Sequence, residues 1–117
     1  MDAIKTVVAV VAEHFGITPE QLRAGGQHRG QRRIACYLGH TFTSCSLPQI
    51  GRACGPIDHS NVVLAVRLVL AELADNPMVG GQIAELNEPL RVRGLVARYE
   101  HRPVGVELRE KKTPPVA

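Results

Sequence analysis

The chain has 117 residues and a net charge of +3, with 44% hydrophobic but only 3% aromatic residues. That length suits one domain with a core of Val, Leu, Ile and Ala, and the composition excludes wholesale disorder. No apolar run reaches the roughly 18 residues of a membrane helix, and an acid at position 2 without a small-residue cleavage site does not make a secretory signal, so a cytoplasmic protein is expected.

In chain order, a first helix is expected over 2–14, because Ile4, Val7, Val8, Val11 and Phe15 recur at helical spacing and Gly16 ends it. In GITPEQLRA, Thr18 caps, Pro19 suits the first helical position and Gln21 completes a capping box. Residues 24–31, AGGQHRGQ, read as a flexible basic loop. A longer helix follows over 30–43, with Ile34, Cys36, Tyr37, Leu38 and Phe42 as its apolar positions. Ser46 and Gln49 frame a second capping box for a short helix in SLPQIGRACG, and Gly55-Pro56 makes a tight turn.

Asp58 is the expected cap of the next helix, which runs to about Ala74. Val62, Val63, Val66, Val69, Leu70 and Leu73 share one face, while Leu64 and Leu68 are out of line with it. Asn76-Pro77 breaks this helix, and a weaker one spans about 79–86 or beyond despite Gly80 and Gly81. The fold class is therefore all-α, with a folded domain over 1–92. Residues 93–117 are expected to be a mobile basic tail, above all from Glu110, although Val104, Val106 and Leu108 alternate as a short strand would.

Cys36, Cys45 and Cys54 are odd in number and lack a CxxC pair, so they make a poor disulfide framework. With His40 and His59 they match no common zinc spacing. Buried thiols acting as small hydrophobes are expected, with no metal and no cofactor.

Charge gives the functional clue. From Gln21 to Ile57 there is no Asp or Glu, yet the stretch holds Arg23, Arg29, Arg32, Arg33 and Arg52, with His28 and His40. Such a surface suits phosphates, which arginine binds well. The shortage of aromatics argues against stacking on single strands, so duplex DNA is the expected partner. A short helix, a glycine-containing turn and a longer helix make a helix-turn-helix, whose second helix presents its start to base edges. Asp58, His59, Ser60 and Asn61 occupy that start and offer donors and acceptors. An enzyme is not expected, because neighbours on a helix diverge and Asp58, His59 and Ser60 cannot converge on one reacting atom. The alternative is a protein-interaction module that uses Leu64 and Leu68 as its contact surface.

VAEHFGITPEQL, the pair Arg32-Arg33 before an apolar helix, SLPQIG, and G-x-x-DHS-x-V together resemble the C-terminal DNA-binding domain of the bacterial replication initiator DnaA. The resemblance covers about residues 4–90. It implies a helical bundle of Trp-repressor-like kind around a helix-turn-helix, binding a short asymmetric duplex box of the TTATCCACA type as a monomer. It further implies that His59 and Ser60, with Asp58 beside them, touch base edges, and that Arg32 holds phosphate. Leu47 and Pro48 match the pair that abuts the DNA backbone. Arg33 stands where the family has glutamine, His40 where lysine is common, and Ile57 where it has arginine. Ser60-Asn61 replaces Thr-Thr. The family's minor-groove arginine would be Arg29, or else Arg23. No GxxxxGK[ST] loop occurs, so no nucleotide is expected to bind, and the chain reads as a stand-alone DNA-binding module for replication control or transcription.

Overall fold

The computed structural model describes residues 2–97. Six α-helices follow one another: α1 Asp2–His14, α2 Pro19–Ala24, α3 Arg29–Phe42, α4 Leu47–Cys54, α5 His59–Asp75 and α6 Pro77–Val92. Among the described residues there is no strand.

Helix α1 buries more than the expected stripe. Ile4, Val7, Val8, Val10, Val11 and Ala12 are all in the core, while Lys5, Ala9 and Glu13, with His14 at the helix end, are exposed. The cause is its position, for α2, α3, α4 and α6 all pack against it. Helix α3 lies across the centre, against α1, α4 and α5. Its buried run from Ile34 to Gly39 includes Tyr37, whose phenol is pushed well above its ordinary pKa by burial. Two hydroxyls in this region bond back one turn: Thr41 Oγ1 to the Tyr37 carbonyl at 2.9 Å and Thr43 Oγ1 to the Gly39 carbonyl at 2.6 Å. Both polar groups are thereby satisfied inside the core.

The expected loop over 24–31 is nearly absent. Leu22, wholly buried, holds α2 in place, and the His28 N–H donates to the Gly25 carbonyl at 2.8 Å. That bond closes a 3-10 turn over Gly26–His28 that runs straight into α3. Helix α6 is also longer than the sequence pattern suggests. Asn76 ends α5 and starts α6, its Oδ1 accepting from the Met78 N–H at 3.0 Å, with Pro77 in the first turn. Val79, Ile83, Leu86 and Leu90 then form a buried stripe against α1 and α5. That burial outweighs Gly80 and Gly81, which cost about 1 kcal/mol each in helix propensity.

Beyond α6 the backbone turns at Gly94, and Leu95 and Ala97 still pack against the core. The alternation at Val104, Val106 and Leu108 and the tail from Glu110 lie outside the described residues. On α5 the buried positions are Val62, Ala65, Val66, Val69 and Leu70. Leu64 stays 52% exposed, as its misalignment with the apolar face implied. Leu86→Ala should therefore cost about 2–5 kcal/mol in urea unfolding and Leu64→Ala no more than about 0.5 kcal/mol.

Candidate nucleic-acid interface

The helix-turn-helix is α4, a tight turn and α5. Helix α4 starts on a complete capping box: the Gln49 N–H donates to Ser46 Oγ at 3.3 Å and the Ser46 N–H to Gln49 Oε1 at 2.7 Å. Its other end is held from outside. Arg23, on α2, donates from Nε to the Ala53 carbonyl at 3.1 Å and from Nη2 to the Arg52 carbonyl at 3.2 Å. Arg32 in turn donates to the carbonyl of Arg23 at 3.2 Å. The two guanidinium groups thus join the ends of α2 and α4 to the first turn of α3.

Two glycines let the turn pass through this crowded place. A Cβ on Gly51 would strike the Ile57 carbonyl oxygen. Gly55 has φ 146°, and a Cβ there would lie 2.6 Å from the Arg23 carbonyl oxygen and 3.1 Å from the Arg32 guanidinium. Only glycine fits both the conformation and the space. Ile57 closes the turn, its N–H donating to the Gly55 carbonyl at 3.0 Å, and its half-buried side chain packs against the core.

Helix α5 begins as expected, with Asp58 in extended conformation at the N-cap, but its carboxylate makes no capping hydrogen bond. The expectation of a side-chain cap is corrected here: the backbone alone starts the helix. The Asp58 carbonyl accepts from Asn61 N–H at 3.0 Å and Val62 N–H at 3.2 Å. The burial of Val62 behind that first turn supplies the stability a cap would otherwise add. Asp58, His59, Ser60 and Asn61 are all exposed, so the whole polar cluster faces solvent.

Of this cluster only Asn61 shares a groove with the arginines, a space of about 230 Å³ between α3 and α5 whose lining leaves out Asp58, His59 and Ser60. Arg29, Arg32, Arg33 and Cys36 line one side, and Ile57, Asn61, Leu64, Ala65 and Leu68 line the other. Arg29 is exposed, while Arg32 and Arg33 are half-buried. Arg29 is not in a loop; it opens α3. The ion pairs His14–Glu85 and Arg91–Glu88 use none of these arginines. His40 does not join the groove, since it sits in the last turn of α3, about 12 Å along the axis from Arg32. Leu47 and Pro48 also lie outside it, at the start of α4, with Leu47 packed on the core and Pro48 exposed.

Sequence reasoning missed the role of Arg23. The resemblance offers it as an alternative minor-groove arginine, but its guanidinium is engaged by the end of α4. No local pattern marks this, because the partners are about thirty positions away and are carbonyls, which every residue has. A larger recess of about 610 Å³ lies behind the motif, among α1, α2 and α4, and holds none of the residues of the polar cluster.

A compact helical bundle that presents a helix-turn-helix with a polar helix start flanked by arginines is a domain of the DNA-binding class. The chain matches the family profile described as bacterial dnaA protein helix-turn-helix over residues 4–69, and it belongs to that family. It is 40% identical over 91 residues to the chromosomal replication initiator protein DnaA of Mycobacteroides abscessus, a match covering 75% of this chain and 18% of that protein. The counterpart from Corynebacterium jeikeium is 36% identical over 88 residues, covering 73% of this chain and 15% of that protein. The chain thus spans less than a fifth of the length of either relative.

Removing the outside cap on α4 should be measurable. Arg23→Ala is expected to lower stability by about 1–2 kcal/mol in chemical denaturation, because two carbonyls lose a charged donor at a partly solvated site.

Proposed function

We propose that the domain binds duplex DNA sequence-specifically, as one chain on an asymmetric box of the TTATCCACA type that the family resemblance implies. The observation that carries this reading is the single groove joining Arg29, Arg32 and Arg33 to Asn61 at the start of α5. His59 and Ser60 read base edges in the major groove, Asn61 extends the reading surface, and Asp58 accepts from a base amino group or orients its neighbour. Arg33 and the free N–H groups of Arg32 hold phosphates. Arg29 reaches phosphate or the adjacent minor groove. Leu47 and Pro48 abut the backbone, and His40 adds a contact farther along α3. Such a role needs no catalytic step and no cofactor. It suits a cytoplasmic regulator acting at initiator boxes, in replication control or transcription, in keeping with the name of the relatives, chromosomal replication initiator protein.

Selection of random duplex DNA on the purified protein tests this directly. Enrichment of a TTATCCACA-like box is expected. Failure to enrich any sequence, with no binding even at low salt, would overturn the reading. A protein-interaction role then gains weight, because Leu64 is 52% exposed beside half-buried Leu68, and binding through them would change little with salt. On the selected site, His59→Ala or Ser60→Ala should cost about 1–3 kcal/mol while leaving binding to random DNA nearly unchanged. Arg33→Ala should weaken both alike and reduce the salt slope by about 1.

A further inference from the structure

The recess behind the motif, of about 610 Å³, combines an apolar lining with three cations. Ile4 and Val8 of α1, Pro19 of α2 and Ala53 of α4 supply the apolar part. Lys5, Arg23 and Arg52 bring one cation from each of the same three helices. No carboxylate lines the recess, and Glu20, next to Pro19, is exposed outside it. The ion pairs found among the described residues use none of the three cations. Like charges around one hollow repel one another, and an anion in it would relieve that repulsion. Arg23 is already fixed in place. Its Nε and Nη2 are held by the Ala53 and Arg52 carbonyls at 3.1 and 3.2 Å, which leaves Nη1 for a further acceptor. Gln49 is fixed in a similar way: its Oε1 accepts from the Ser46 N–H at 2.7 Å, and its amide nitrogen remains a donor at the recess. Donors held in position lose little freedom when a ligand engages them.

We propose that this recess binds a small organic carboxylate with an apolar body. The carboxylate meets Arg23 Nη1 and the Gln49 amide, with Lys5 and Arg52 supplying the surrounding positive field, and the apolar body lies on Ile4, Val8, Pro19 and Ala53. The size fits, since pockets of about 300–1,000 Å³ hold compact ligands. A bare inorganic anion would leave the apolar lining unused, and a neutral apolar molecule would leave the three cations without a counter-charge. The planar guanidinium matches a carboxylate in geometry as well as in charge. The recess is separate from the proposed DNA surface, because its lining and that of the groove between α3 and α5 share no residue. It still reaches the motif through Arg23, whose guanidinium also holds the end of α4. A ligand that contacts α1, α2 and α4 together binds only the folded chain, so occupancy stabilises it. The site does not depend on the function proposed above.

The test is an NMR titration of the full chain with phenylbutyrate, phenylbutanol and acetate, read from backbone amide shifts. Phenylbutyrate is expected to bind saturably, with shifts concentrated at Lys5, Val8, Arg23, Gln49 and Ala53, and to raise the thermal unfolding midpoint. Phenylbutanol lacks the charge and acetate lacks the apolar body, so each should bind about tenfold more weakly or worse. Lys5→Glu and Arg52→Glu, both at exposed positions, should each weaken phenylbutyrate several-fold, while Arg52→Lys should not. Ala53→Leu, which fills the recess, should block it. Shifts scattered over the surface or without saturation would mean adventitious binding only and overturn the site. Phenylbutanol binding as well as phenylbutyrate would overturn the part given to the cations, and acetate doing so would overturn the part given to the apolar lining. If an acidic peptide shifted these residues and phenylbutyrate did not, the small-ligand assignment would fall and the recess would be a protein-docking surface.

Discussion

The last carbonyls of a helix have no partners within it, and at the end of α4 they are taken by an arginine from another helix. Arg23 accommodates two of them, and Arg32 holds the backbone of Arg23. The angle at which α5 leaves the turn depends on this junction, because Gly55 rests against both groups. α3 is fixed to the same point through Arg32, so the helix carrying the arginines and the helix carrying the polar cluster share one anchor. The groove between them follows from that anchor.

The junction also changes how the charge of the sequence should be counted. The acid-free stretch holds five arginines, but they are not equivalent once folded. Arg23 is engaged by carbonyls, and Arg32 is partly so. Arg29 and Arg33 line the groove, and neither takes part in the ion pairs found among the described residues. No carboxylate is among the residues that line the groove, although Asp58 follows Ile57 at the start of α5. Among the described residues, no ion pair neutralises these arginines.

The departures from the family pattern acquire physical meaning in the same place. Ile57, where the family has arginine, is half-buried against the core and lines the groove beside Asn61. The isoleucine gives that end of the groove an apolar wall. Cys36, on α3, contributes to the lining of that groove.

The sequence by itself determined most of the helices and marked the candidate polar cluster. Helical periodicity, the capping boxes at Thr18 and Ser46, and the breaks at Gly55-Pro56 and Asn76-Pro77 depend on residues a few positions apart, so they are readable in a linear string. The polar cluster at the start of α5 was legible for the same reason. Only the tertiary structure decided matters that involve distant partners. It buried Val10 and Ala12 of α1 by surrounding that helix, lengthened α6 by covering its stripe, and folded the expected loop into a turn opening α3. It left Asp58 without a side-chain cap and assigned Arg23 to the end of α4. Local pattern reports what a segment can do alone; which carbonyl an arginine reaches depends on chain crossings that no short window contains.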